Sequence, residues 1–321
     1  MRLLEPVFVN LAAYHVNAWD PGDGRPIVIG ISGGRSSAYQ AWHLIKANPD
    51  WRERGWLFVF ENTGRELEET LIFVNALDLH LGLGIIWLEY DPTALGKVKI
   101  VTFETAARNG EPFDALLNEV IEKRKDGTRG LRPLPNPKAK HCTANLKVKA
   151  LHKYLRIHLG WKMQYYAVLG YRADKQDTPR VLRMIESNKK GWPAGGKGLF
   201  PMYEARATQD DVQGFWLFAP FDLGLDSNYG NCDYCLEVST WKKKERMLLE
   251  AISCGIIPRP GAAPPPRLAW WIAYEERKSD RPGTFNFRHP TYRQLWEQVC
   301  AGNMASAIKE NVNDVCRSCS D

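Results

Sequence analysis

The chain contains no apolar run approaching the ~18 residues that a membrane-spanning helix needs, which excludes a helical anchor. It has no G-x-x-x-x-G-K-[ST] loop, excluding a Walker-type NTPase, and no G-x-G-x-x-G, excluding the usual dinucleotide fingerprint. Met1 to Pro6 lacks the apolar core of a signal peptide, so the expected location is cytoplasmic. No internal repeat is present. The seven cysteines, in a reducing compartment, do not suggest a disulfide framework. The formal net charge of +6 suits an anionic nucleotide but does not by itself indicate nucleic-acid binding. Lysine runs such as Lys242-Lys243-Lys244 read as solvated helix faces.

The most informative stretch is the β-branched run Ile27-Val28-Ile29-Gly30-Ile31, which reads as a buried strand. Ser32-Gly33-Gly34-Arg35-Ser36-Ser37 follows it, and then a helical pattern. A strand, a glycine turn and a helix N-terminus together make an anion cradle. Backbone N–H groups and the helix dipole favour phosphate there, and glycine lets the backbone approach it.

Strand patterns at 26–31, 56–60, 85–90 and 165–169 alternate with helical patterns at 37–46, 68–80, 114–123 and 146–158. This predicts an α/β fold with a doubly wound, mostly parallel sheet. Ligands of such sheets lie beyond the strands' carboxyl ends, where the serine turn, Asn62-Thr63-Gly64 and Gly170-Tyr171-Arg172 all fall. Residues 188–198, rich in lysine and glycine, read as a lid or a loose connection. Thr208 and Asp211 read as a helix cap. Gly261 through Pro266 is a breaker ahead of an aromatic helical tail bearing Trp270, Trp271, Tyr274, Tyr292 and Trp296. The expected organisation is a lead-in at 1–25, a nucleotide-binding domain at 26–260 and a helical, cysteine-containing segment at 261–321.

Four motifs carry a family resemblance. The serine turn resembles the S-G-G-x-[DST]-S signature of the PP-loop (adenine nucleotide alpha-hydrolase-like) superfamily. Asn62-Thr63-Gly64 with Glu69-Thr70 resembles the D-T-G-x-x-x-x-E-T element of phosphoadenosine phosphosulfate (PAPS) reductases, with Asn62 in place of Asp. Cys142 with Lys147-Val148 resembles that family's cysteine and Lys-Val segment, and Gly170-Tyr171-Arg172 with Arg180 resembles its substrate loop. The chain therefore resembles PAPS reductase-like proteins, in the branch carried by phages and mobile elements, near the DNA phosphorothioation sulfurtransferases. The resemblance implies an adenosine nucleotide (ATP or a PAPS-type compound, with or without Mg). Its site residues would be Ser32, Gly33, Gly34, Arg35, Ser36, Ser37, Asn62, Thr63, Gly64, Lys147, Gly170, Arg172 and Arg180.

Cys232-Asp233-Tyr234-Cys235 and Cys316-Arg317-Ser318-Cys319 are C-x-x-C pairs, each able to present two soft thiolates to one metal. In the adenosine phosphosulfate reductase branch a Cys-Cys pair joins a distant C-x-x-C around a [4Fe-4S] cluster. The likeness implies such a cluster on Cys142, Cys232 and Cys235, completed by Cys319 or Cys316; zinc on the two C-x-x-C pairs is the alternative. Cys254 and Cys300 read as incidental thiols. The family's E-C-G-[LI]-H motif is absent, so Cys316 or Cys319, with Arg172, are the candidate catalytic residues. Three functions follow as expectations. One is an iron–sulfur sulfonucleotide reductase using a thiol reductant. The second is an ATP-pyrophosphatase sulfurtransferase acting on DNA or tRNA. The third is a zinc-stapled, non-catalytic nucleotide sensor or phage accessory protein.

Overall fold

The computed structural model describes residues 10–122, 127–162, 164–193, 196–225, 232–277 and 283–304. Cys316 and Cys319 lie outside them. In chain order, α1 (Leu11–Tyr14) precedes β1 (Ile27–Ile31), α2 (Arg35–Ala47), β2 (Leu57–Asn62), α3 (Glu68–Leu81), β3 (Ile86–Tyr90), β4 (Val98–Val101) and α4 (Glu111–Leu117). Two short strands, β5 (Val120–Ile121) and β6 (Gly130–Leu131), then pair antiparallel with each other. After them come α5 (Lys149–Lys153), β7 (Tyr166–Val168), α6 (Thr178–Lys189), β8 (Lys197–Leu199), α7 (Pro201–Glu204) and α8 (Gln209–Trp216). Three helices close the described chain: α9 (Thr240–Ser253), α10 (Pro266–Glu276) and α11 (Tyr292–Cys300).

The fold is an α/β domain on a six-stranded sheet in the order β4-β3-β2-β1-β7-β8, parallel except for the antiparallel edge strand β4. Both faces are covered, which is why the strands read as near-continuous apolar runs. Alternate residues Ile27, Ile29, Ile31, Phe58 and Phe60 pack with α2, α3 and α8. The intervening Val28, Val59 and Leu88 pack against Ala150, Leu151, Tyr154 and Leu155. A further core joins α9, α10 and α11 to Phe113, Leu116 and Leu117 of α4, so residues on both sides of position 260 share one apolar cluster. Among the described residues no helix is long and apolar enough to cross a membrane.

Several elements differ from the sequence pattern. The helix expected at 114–123 runs instead over Glu111–Leu117, because Gly110 turns the chain at φ 98° and Pro112 suits the first helical turn. The stretch expected as a lid or loose connection contributes the end of α6 and the parallel strand β8, with Asn188 bonded to Gly198 through both its amide atoms. Lys243 and Lys244 are buried, not solvated. Their ammonium groups reach the carbonyls of Leu236 and Asn303, at 3.3 and 3.1 Å. The Thr208–Asp211 capping box forms as expected.

Candidate functional site

β1 is the sheet's switch point, with β2 to one side and β7 to the other, and ligands of such sheets bind beyond the carboxyl ends of the strands, here Ile31 and Val168. The serine turn sits there. Ser32 and Ser37 hydroxyls lie 3.0 Å apart, and the Ser37 hydroxyl accepts the Ser32 N–H at 3.0 Å and donates to the Gly34 carbonyl at 3.1 Å. These bonds close the turn and hold the first turn of α2 against it. That turn carries no acidic residue and no side-chain cap among the described residues. Gly33 adopts φ +89°, and a Cβ built on it would stand 2.5 Å from Thr70 Cγ2 and 3.3 Å from the Phe60 ring. Thr70 is fully buried, its Cγ2 methyl against the glycine turn, and its hydroxyl has no partner among the described residues.

The β7 side meets this turn directly. A Cβ on Gly170 would lie 2.9 Å from Ser37 Cα and 3.1 Å from Ser37 N, so only glycine allows the two segments to approach this closely. Arg172, buried, donates from NH1 to Ser36 Oγ at 2.9 Å and from Nε to Asp174 at 2.7 Å, while its backbone N–H donates to Asp177. Arg180 pairs with Asp177 at 3.4 Å and lies over the Tyr171 ring. Ser32, Gly33, Gly34, Ser36, Ser37, Gly170, Arg172 and Arg180 thus form one constellation. Arg35 leads elsewhere: its guanidinium engages Asp222 at 2.6 and 2.5 Å.

A second constellation occupies the carboxyl end of β2. Asn62 is consumed structurally, donating to Glu89 at 2.7 Å and the Ala107 carbonyl at 2.9 Å and accepting from Gly64 N–H. The Thr63 hydroxyl donates to the Glu66 carboxylate at 2.8 Å and lies 3.2 Å from Cys232 Sγ. With its proton on Glu66, Thr63 is left to accept from the Cys232 thiol. The C-x-x-C loop is anchored by its own second residue. Asp233 accepts from Arg65, from Arg267 Nε at 2.7 Å, from Trp271 Nε1 at 2.8 Å and from Tyr234 N–H at 2.9 Å, and its own N–H donates to the Arg65 carbonyl at 2.8 Å. Residues 143–148 wind as a π-helical turn that carries Lys147. Burial alone would lower Lys147, but Glu66, Cys232, Glu61 and Cys235 together hold its ammonium above the usual value.

The Cys142 and Cys232 thiols are protonated at neutral pH. Burial, reinforced by Cys235, pushes Cys142 up to about 11. Burial and then Glu66 push Cys232 well above its ordinary range. Iodoacetamide at pH 8 should therefore modify the exposed Cys254 at least tenfold faster than Cys142 or Cys232, as read by peptide mass spectrometry. Mutual influence places Cys142 and Cys232 each near Cys235. Among the described residues, however, no three His, Cys, Asp or Glu side chains are arranged to hold a metal ion. The described thiols by themselves therefore do not fit a [4Fe-4S] or zinc site.

Glu61, half-buried near Lys147, is pushed up to about 7, chiefly by burial. The unfolded chain loses this proton near 4.5 and the folded chain near 7, so stability falls as pH rises between them. Glu61→Gln should remove that fall, stabilising the chain above pH 7 by roughly 2–4 kcal/mol in urea titrations and leaving stability at pH 4 nearly unchanged.

Arg65, Glu66, Asp233 and Arg267 escaped the sequence reading. The available signal was charge set inside motifs: Arg65-Glu66 directly after Gly64, and Asp233 between the two cysteines. No protein-family profile matches the chain. It is 27% identical over 225 residues to a protein of Escherichia phage lambda described as the uncharacterized nin region protein ORF290, with 67% of each chain covered. This is a distant homology to a phage protein.

Proposed function

We propose that the chain is an adenosine-nucleotide-binding enzyme of the PAPS reductase-like type, acting in sulfur chemistry. The observation that carries this reading is the serine turn at the β1–β7 switch point, joined to the Gly170-Tyr171-Arg172 loop through the Arg172–Ser36 bond. Phosphates would be held by the first N–H groups of α2 and by Ser32, Ser36 and Ser37. Arg172 would keep Ser36 oriented and add positive charge. The side chains of Asn62 and Arg35 are bonded to Glu89 and Asp222, so these residues would contribute chiefly through their backbone. In sulfonucleotide reduction a thiolate takes the sulfuryl group, forming an S-sulfocysteine and releasing the nucleotide. A second thiol then expels sulfite and leaves a disulfide, which an external thiol reductant resolves. Cys316 and Cys319 are the candidate thiols for these two steps, since burial keeps the Cys232 thiol protonated.

Isothermal titration with ATP and with PAPS tests the nucleotide site. Ser36→Ala and Arg172→Gln should each weaken binding about 10-fold or more without loss of fold, and unchanged affinity in both variants would remove the assignment. Thiol-dependent sulfite release from PAPS identifies the reductase. ATP turnover to AMP stimulated by nucleic acid identifies instead a sulfurtransferase, and tight binding with no turnover a sensor. A [4Fe-4S] cluster or zinc on Cys142, Cys232 and Cys235 requires Cys316 or Cys319 as well. Metal and acid-labile sulfide analysis after anaerobic purification decides that proposal.

A further inference from the structure

Between Gly127 and Ala173 the chain carries ten Lys or Arg and no Asp or Glu, although the whole protein has nearly balanced charge with 43 basic and 37 acidic residues. Much of this segment is the helical stretch at 143–158, made of α5 and the π-helical turns Thr143–Val148 and Tyr154–His158. Its inner face is apolar, with Leu146, Ala150, Leu151, Tyr154 and Leu155 buried. Its outer face presents Lys149, Lys153 and Arg156, all exposed. None of the three is ion-paired with a described residue: Lys149 bonds Asn145 at 3.1 Å, and Arg156 bonds the Lys162 carbonyl at 3.2 Å. The exposed Lys162 follows, and the loop of Lys97 lies alongside, since a Cβ built on Gly96 would stand 3.6 Å from Lys153 Cβ. Glu119 is occupied by Lys97 and Arg132, and Glu89 by Lys99.

We infer that this ridge is a docking surface for duplex DNA, gripped through its phosphodiester backbone. Lys149 to Arg156 spans about 10 Å of helix, and one DNA strand places a phosphate every ~3.4 Å along its axis, so three cations meet about three phosphates. A rigid ridge fixed to the sheet suits a stiff duplex, which in DNA carries one charge per ~1.7 Å, twice the axial density of one of its strands. The ridge begins two residues after Lys147, whose ammonium faces Glu66 and Cys232, so bound DNA would run from the thiol edge outward.

The test is fluorescence anisotropy with a labelled 20-base-pair DNA duplex between 50 and 200 mM salt, using the full chain. Wild type should bind with micromolar affinity that falls steeply with salt. Lys149→Glu/Lys153→Glu/Arg156→Glu should lose at least 30-fold, with a log–log salt slope shallower by about 3. Arg183→Gln/Lys190→Gln, exposed on and just after α6, should bind within twofold of wild type. Circular dichroism and the unchanged nucleotide titration verify that the triple variant is folded. No duplex binding, an equal loss in the α6 control, or tighter binding to single-stranded DNA or duplex RNA would each overturn the inference. Loss of nucleotide affinity in Arg172→Gln with DNA binding intact would separate this surface from the nucleotide site.

Discussion

Asp233→Ala is expected to destabilise the chain by about 3–5 kcal/mol. Asp233 and Arg65 are respectively 2% and 3% exposed, so the charge left behind cannot be rehydrated without opening the joint. The carboxylate also holds Arg267 and the Trp271 indole, and Arg65 stacks 4.7 Å over Trp270. These bonds tie α10 and the C-x-x-C loop to the turn after β2. Urea denaturation reads the loss. Because Arg65→Ala removes the charge that Asp233→Ala strands, the double variant should cost less than the sum of the two singles. The Cys232 thiol gives a second readout that overall stability would not move. In the milder Asp233→Asn variant the loop should loosen from Thr63, and iodoacetamide modification of Cys232 should rise severalfold while Cys254 is unchanged. Cys232 reactivity equal to wild type in that variant would mean that Asp233 does not position the thiol.

The β1–α2 unit and the parallel sheet were legible because their signals are local: β-branched runs buried on both faces, followed by a glycine turn and a helix start. Edge strands β4 and β8 were not legible. Each is short, and β8 begins in the lysine- and glycine-rich stretch 188–198, yet pairing with β3 and β7 overrides local propensity. Of the candidate site, residues bound to their own backbone motif could be placed, such as Ser32, Ser37 and Gly170. Long-range partners could not. The Thr63–Cys232 contact spans 169 positions and Arg65–Asp233 spans 168, and no periodicity encodes them. Arg35 adds another long-range pairing. It sits inside the signature, but Asp222, 187 residues away, takes its side chain.

Gly33→Ala should lower stability by about 2–5 kcal/mol and abolish nucleotide binding, because two penalties meet at one Cβ. A φ of +89° is strained for any L side chain, and the added methyl would stand 2.5 Å from Thr70 Cγ2. The two contributions separate by design. Gly24 has φ +74° with nothing within 4 Å of its added Cβ, so Gly24→Ala should show the backbone cost alone, about 1–2 kcal/mol. Thr70→Ser deletes the clashing methyl and keeps the hydroxyl. Gly33→Ala/Thr70→Ser should therefore recover about 1–3 kcal/mol of the single variant's loss, while Thr70→Ser alone should be destabilising. Thermal unfolding of the four variants, with and without ATP, reads both consequences. If Gly33→Ala costs no more than Gly24→Ala and still binds nucleotide, the turn is not tightly packed against α3 and its role as a phosphate cradle fails with it.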